Sequence, residues 1–407
     1  MKRSAFSHRI STSGPGEPNP IFMGFVLTLG HGVKHIFNSG FFIILPELKT
    51  AMGLSNSAVG TLSTFRGIGN GLGNFPAGYL ADRYNHHWRA ILGFGILGVG
   101  IFHFLLGSVS HYWLLVAMAS FGAMAISFWH PPAITALSQK FIDRRGFALA
   151  MHGTGGSIGE ALGPISTAVL LGFFIWRTVL QLSIIPSVAM AILVGLALKG
   201  LRGEFSHTRS FSMYINSVRG VLRHRAMIIV LIITGGFISA QTSFYTFLPI
   251  YLREDLGYSS LATSGFLSIA QVSGIVSQPV MGFLSDRYSR KAVILPSMII
   301  LGITIVAIPF TTNINTLLTA MMLMGAFNFP LMSIILAAAL DISDDDVPAT
   351  VVSLVFGATV VFSSLAPSIA GVLADAINIK AAFYMSSGIS FATAGFALFS
   401  RMQRSII

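Results

Sequence analysis

Gly78-Tyr-Leu-Ala-Asp82-Arg83-Tyr84 and Gly282-Phe-Leu-Ser-Asp286-Arg287-Tyr288 are one pattern written twice, 204 residues apart. Two further pairs keep nearly the same offset: Leu45-Pro46 with Leu248-Pro249, and Gly163-Pro164 with Ala366-Pro367, each 203 apart. Three independent matches at one spacing are hard to obtain by chance. The chain therefore reads as a parallel duplication, two six-helix bundles related by an axis along a membrane normal.

Composition places those bundles in a bilayer. Of 407 residues 53% are hydrophobic and 10% charged, against about 25% charged in an ordinary soluble domain. Segments able to cross ~30 Å of hydrocarbon are expected near 21–45, 56–81, 88–108, 112–139, 146–173 and 177–199. A second set is expected near 226–252, 259–285, 291–311, 315–340, 348–374 and 380–400. The fold class is thus an all-α membrane protein with twelve transmembrane helices. The expected organisation is a disordered cytoplasmic tail (1–20, no apolar core of a signal peptide), a first bundle (21–200), a cytoplasmic linker (201–225) and a second bundle (226–402).

Lys and Arg set the orientation. With a cytoplasmic N-terminus, the tails and even-numbered loops hold nineteen of the 25 Lys and Arg residues. The odd-numbered loops hold four, Lys49, Arg177, Arg253 and Lys380, and two more, Lys34 and Arg66, lie within spans. Both termini are expected in the cytoplasm, at a bacterial inner membrane. The net charge of +11 then anchors topology and needs no nucleic acid. Asp341, Asp344, Asp345 and Asp346 make the tenth loop acidic, against the trend. The absence of cysteine excludes disulfides and thiolate metal sites.

Twelve spans, a central basic loop and the doubled Gly-x-x-x-Asp-Arg motif resemble the major facilitator superfamily over essentially the whole chain. The family motif usually continues with Gly and two basic residues, where this chain has Asn85-His86-His87 and Ser289-Arg290-Lys291. The resemblance implies a cytoplasmic latch of Gly78, Asp82, Arg83, Arg144, Arg145, Gly282, Asp286 and Arg287 that holds the outward-open state. In it the glycines let helix ends approach, and Asp82 caps a helix or pairs with Arg144 or Arg145. Phe128-Trp129-His130-Pro131-Pro132, Arg145-Gly146 and Gly155-Gly156 look, more loosely, like a bacterial branch that includes fosmidomycin-resistance-type exporters. Gly163-Pro164 is similar to the core of an antiporter motif, but Ser166-Thr167 replace its following glycines, and span 4 lacks the arginine of many antiporters.

Charge inside a span is costly, about 2.5–3.5 kcal/mol at mid-membrane on insertion scales, and marks a pathway. His31, Lys34, His35 and Asn38 share one face of span 1 by their i, i+3, i+4, i+7 spacing. Arg66, Asn70 and Asn74 share a face of span 2. A guanidinium there suits a carboxylate or phosphate, with an ion pair to Glu160 as the level alternative. His152, Gly156 and Glu160 align on span 5, and Glu160 is the acidic residue deep in a span. Its expected role, with His152, is proton coupling. Pro131 and Pro132 should bend span 4 beside Trp129 and His130, which would wall the substrate site. The second half offers neutral groups, Gln241, Tyr245, Gln271 and Asn328, together with Gln278.

A cleft with Lys34 and Arg66 against Glu160 favours an anionic solute: a carboxylate, phosphonate or siderophore-like molecule moved by proton-coupled alternating access. Drug/proton antiport is the alternative. Metal transport through His31, His35, His130, His152 and Glu160 is disfavoured by Lys34, and a non-transporting sensor by the buried charges. No enzyme motif is present, so no catalytic residue, metal or cofactor is expected, with a proton gradient as the energy source. The expected partners are the bilayer and a small-molecule substrate, and the chain is expected to act as a monomer.

Overall fold

The computed structural model describes residues 18–141, 144–203, 216, 219–342, 351, 354–357, 360 and 365–399. All regular structure among them is helical. The helices are α1 (Pro20–Met52), α2 (Asn56–Arg83), α3 (Trp88–Ser108), α4 (Tyr112–Ser127), α5 (His130–Lys140), α6 (Arg145–Leu171), α7 (Trp176–Leu182) and α8 (Ile184–Ala197). The second half supplies α9 (Arg225–Ile250), α10 (Ser260–Arg287), α11 (Arg290–Ala307), α12 (Ile314–Leu340), α13 (Ala366–Ala376) and α14 (Lys380–Phe399). Eight of the described helical segments are long and apolar enough to cross a bilayer. Helices α1, α2 and α6 are as long, at 33, 28 and 27 residues, but the polar stripes dilute their apolar character.

The duplication extends to local structure. Gly53 and Gly257 both end a span with positive φ, 59° and 69°, the left-handed conformation glycine tolerates. Two residues on, Ser55 and Ser259 cap α2 and α10, each side-chain oxygen accepting from the backbone N–H three residues later at 3.1 Å. Both capped helices are 28 residues long. Pro46 and Pro249 lie inside helices rather than ending them. Helix α1 therefore outruns the expected 21–45 by seven residues, to Met52. Span 4 divides into α4 and α5 at Phe128-Trp129, directly before Pro131 and Pro132, whose missing N–H groups cannot continue the ladder.

One buried apolar cluster joins the halves through residues such as Leu45, Leu48, Phe244, Phe247 and Leu248. A second fills the first half around Trp88 and Trp129. Where the chain ends of α1 and α14 mark one face of the molecule, the α1–α2 turn lies on the opposite one, here called the far face.

Candidate functional site

The polar stripes of α1 and α6 meet because the two helices touch backbone to backbone. A Cβ built on Gly159 would lie 2.1 Å from the carbonyl oxygen of Gly32, and one on Gly155 would lie 2.4 Å from that of Thr28. At Gly163 it would lie 2.6 Å from the Ile36 oxygen. Small residues at such a seam let membrane helices pack at close range. Gly156 has a different neighbour, the His31 ring at 2.5 Å from its would-be Cβ, so its missing side chain makes room for an imidazole.

Across that seam runs a chain of hydrogen bonds. His31 Nδ1 donates to the His152 carbonyl oxygen at 2.7 Å, and the two rings stack at 4.0 Å. His31 Nε2 meets His35 Nε2 at 3.0 Å, and His35 Nδ1 meets Glu160 Oε1 at 2.8 Å. The side chain of Gln271 of α10 lies beside the Glu160 carboxylate. Lys34, only 2% exposed, donates from Nζ to His130 Nε2 at 2.5 Å. Five titratable side chains from α1, α5 and α6 thus join one amide from the second half.

Arg66 lies apart from this chain. Its guanidinium donates to Asn38 at the backbone oxygen (3.1 Å) and Oδ1 (2.7 Å). It stands 4.5 Å over the Phe41 ring and 5.6 Å over Phe42. The ion pair between Arg66 and Glu160 is not formed: Glu160 is taken by His35, and Arg66 has no carboxylate partner among the described residues. Phe42 in turn faces Tyr245 of α9, centroids 6.0 Å apart, so an aromatic bridge carries the Arg66 side toward the second half.

The remaining candidates divide. Asn70 ties α2 to α4, donating to the Ala123 oxygen at 3.4 Å and accepting from Ser127 Oγ on its carbonyl at 2.5 Å. Trp129 is 1% exposed and packs on Gly30, whose would-be Cβ would fall 2.0 Å from the ring. It therefore fills the first half's core and presents no free face to a ligand. Tyr245 is buried, its hydroxyl 3.5 Å from Met324 Sδ. Asn328 is buried with its amide nitrogen unpartnered, and Gln241 is half-buried on α9.

The latch residues are seen here in a conformer closed at the far face, the opposite of the state the latch is expected to hold. Added Cβ atoms at Gly78 and Gly282 would meet open space, so in this conformer these glycines make no close approach. Close approach belongs instead to glycines such as Gly69, with the Ser120 oxygen 2.2 Å from its would-be Cβ, and Gly325, with the Ala270 oxygen at 2.0 Å. Asp286 pairs with Arg290, which reaches on to Asp341 at 2.8 Å and Ser285 Oγ at 2.9 Å. The acidic tenth loop thus supplies the second motif's bridge. Arg287 stands 5.9 Å over Tyr288. Arg83 and Arg144 are exposed, while the side chains of Asp82 and Arg145, and Asp344, Asp345 and Asp346, lie outside the described residues.

Sequence reasoning missed a set of contacts that close the far face between the halves. Arg253 donates to Glu47 at 2.6 Å, Ser260 Oγ to the same oxygen at 3.1 Å, and Lys49 to Glu254 at 2.5 Å. Asp375 accepts from the backbone N–H groups of Asn56 and Ser57, both at 2.8 Å, at the N-terminus of α2. Just below, Ser368 Oγ reaches Thr64 at 2.8 Å. These partners stand more than 200 residues apart, and nothing local in the sequence pairs them.

Ring nitrogens of His31, His130 and His152 lie within 4.8 Å of one another. Two of those rings are already committed, His31 to a carbonyl and His130 to an ammonium. The Lys34 ammonium takes the lone pair a metal would need, and the donor set does not suit a cation.

A family model described as Major Facilitator Superfamily matches residues 27–278 and 267–405. The Fosmidomycin resistance protein of Escherichia coli (strain K12) is 23% identical over 368 residues, 87% of this chain and 86% of that one. The Membrane sensor protein UhpC of the same strain is 24% identical over 284 residues, 64% of this chain. The match spans 63% of that relative's length, just under two thirds. Among solved structures, the nucleoside transporter NupG superposes with a TM-score of 0.73 at 15% identity, covering 93% of this chain and all of that one. With the family model matched across both halves of the duplication, the chain belongs to the Major Facilitator Superfamily.

Proposed function

We propose that the protein is a secondary active transporter that moves a small organic anion, a carboxylate, phosphonate or siderophore-like solute, by proton-coupled alternating access. The observation that carries the anion is Arg66. A guanidinium between membrane spans, held by one asparagine and two phenyl faces with no carboxylate partner among the described residues, keeps donors free for an anionic ligand. Lys34, committed to His130, drops out as a direct ligand; its charge still adds to the field of the cleft. Glu160 is the proton-coupling group, and the ion pairs at Glu47–Arg253 and Lys49–Glu254 form a gate on the face we assign to the periplasm. Both termini then face the cytoplasm of a bacterial inner membrane.

A thermal-shift titration of the purified protein against carboxylates, phosphonates, cations and neutral solutes tests the reading. Bidentate hydrogen bonds from a charged donor contribute about 1.5–3 kcal/mol, so Arg66→Gln should weaken anion binding roughly ten- to a hundredfold. Unchanged anion affinity in Arg66→Gln would exclude the proposal. Drug/proton antiport remains the second reading, supported by the relative named for fosmidomycin resistance. Stabilisation by lipophilic cations, independent of Arg66, would favour it.

A further inference from the structure

Counting donors along the α1–α6 chain fixes where its protons sit. The His152 carbonyl oxygen can only accept, so His31 carries its proton on Nδ1. In the neutral ring, His31 Nε2 is then an acceptor, and the 3.0 Å contact requires His35 to donate from its own Nε2. That leaves His35 Nδ1 facing Glu160 Oε1 at 2.8 Å. With His35 neutral and Glu160 ionised, two lone pairs would point at each other across that distance. A proton must lie between them, whether written as imidazolium with carboxylate or imidazole with carboxylic acid. The two descriptions hold the same single proton.

The same carboxyl group faces Gln271 of α10, and one turn further toward the far face Ser268 of α10 donates to the Ala161 oxygen of α6 at 2.7 Å. The protonated pair is therefore part of the contact between the halves while the far face is closed by Glu47–Arg253, Lys49–Glu254 and Asp375. We infer that the conformer closed at the far face is the proton-loaded one, carrying one proton between His35 and Glu160, and that its loss opens that face. This rests on the proposed proton-coupled transport and names His35 as the partner with which Glu160 holds the proton.

Loss of the proton to water leaves the pair with one more negative charge and an acceptor–acceptor contact at 2.8 Å, which parts the His35 and Glu160 side chains and shifts Glu160 within the contact between the halves. The groups facing the pair determine the field it titrates in. They are His31 and Lys34 on α1, His130 on α5, His152 on α6 and Tyr245 on α9. Lys34 brings positive charge. His130 accepts from Lys34, which fixes its ring as a neutral acceptor at Nε2.

The chain holds no cysteine, so Ala51→Cys with Ala376→Cys places a spin-label pair on the exposed far face without background. Distances are recorded by pulsed electron resonance from pH 5 to 9 in lipid nanodiscs. The open-to-closed ratio should rise with pH, at up to about tenfold per pH unit, the slope of a single proton. In Glu160→Gln the amide nitrogen donates to His35 Nδ1 in the proton's place, so the short distance should persist at every pH. His35→Phe, with no ring nitrogen, should flatten the response. A flat wild-type profile, a slope of two protons, or a response that survives in Glu160→Gln each overturns the inference, and the wild-type titration decides even if a variant does not fold. Proton-driven anion uptake in liposomes is read in parallel. Uptake with a flat gate would sink this inference alone; a gate titrating with unit slope but without uptake of any anion would sink the proposed function alone.

Discussion

Substituting Gly159 by Ala tests whether the α1–α6 seam positions the proton-holding groups. The new methyl carbon would stand 2.1 Å from the Gly32 carbonyl oxygen, 2.8 Å from its carbon and 2.9 Å from its Cα, where ordinary contact begins near 3.4 Å. All three neighbours are backbone, so no rotamer change relieves the clash, and the helices must part by about 1.3 Å. A rigid separation of that size takes His35–Glu160 from 2.8 Å and His31–His152 from 2.7 Å to about 4 Å, beyond hydrogen-bond reach. Bonds involving charged groups contribute roughly 1.5–3 kcal/mol each, which outweighs the helix-propensity gain of about 1 kcal/mol from Gly to Ala. Gly153→Ala is the internal control, on the same helix with nothing within 4 Å of its added Cβ. Thermal unfolding in nanodiscs should show Gly153→Ala at or above the wild-type midpoint and Gly159→Ala several degrees below it. Proton-driven uptake should survive in the first and fail in the second. If Gly159→Ala matched Gly153→Ala in both measurements, the seam would not be what sets the cluster's geometry.

Asp375 predicts a second pH response with the opposite sign. Burial pushes its pKa up, but the N–H groups of Ser57 and Asn56 outweigh burial and hold it below the ordinary carboxylate value. The carboxyl makes those bonds with the far face closed, so its contribution to closure is present above about pH 3.9 and is lost as pH falls through the depressed value. Exposed charges at a helix N-terminus contribute about 0.3–1 kcal/mol; Asp375→Asn should therefore raise the open fraction about two- to fivefold at neutral pH, read by the same spin-label pair, and an unchanged fraction would refute the contact's role. Gly78→Ala and Gly282→Ala, with open space at their would-be Cβ atoms, should match or exceed wild-type thermal stability, whereas Gly325→Ala, 2.0 Å from the Ala270 oxygen, should lose it. Equal losses at all three sites would restore the close-approach reading of the doubled motif.

How far the sequence could be read depended on whether a feature was local. The stripes of His31, Lys34, His35 and Asn38, and of His152, Gly156 and Glu160, follow from helical arithmetic within one element. The repeat is a comparison of the chain with itself, and Gly53/Gly257 and Ser55/Ser259 carry it down to individual caps. What two stripes do to each other was not local. Whether Arg66 meets Glu160 or Asn38 depends on helix rotation and on a seam of Gly32, Gly155 and Gly159, and no spacing within one helix encodes it. Glu47 and Arg253 looked like ordinary loop charges because their meaning lies in a partner from the other half. Trp129 and Gly30 are likewise a pair whose fit exists only once α1 and span 4 are packed. Gly78 and Gly282 show a related limit: glycine in a repeated motif announces a backbone requirement without saying which neighbour, or in which conformer, imposes it.

The division of charge between the halves has a mechanical consequence. Every deep Lys, Arg, His or Glu of the described spans belongs to the first half, and the second answers with the uncharged Gln271, Tyr245, Gln241 and Asn328. Within one half, the distances among Lys34, His130, His31, His35 and Glu160 are set by α1, α5 and α6 and can stay fixed while the halves move. The energetic cost of burying these charges then need not be met anew at each conformational step. Gln271 contributes an amide whose oxygen accepts and whose nitrogen donates, so it can bond either protonation state of Glu160 without itself titrating. A second carboxylate or a lysine at position 271 would bind one state and repel the other so strongly that the halves would stay locked or stay apart. A neutral, two-way partner keeps the energy difference between closed and open small, which lets a single proton decide between them.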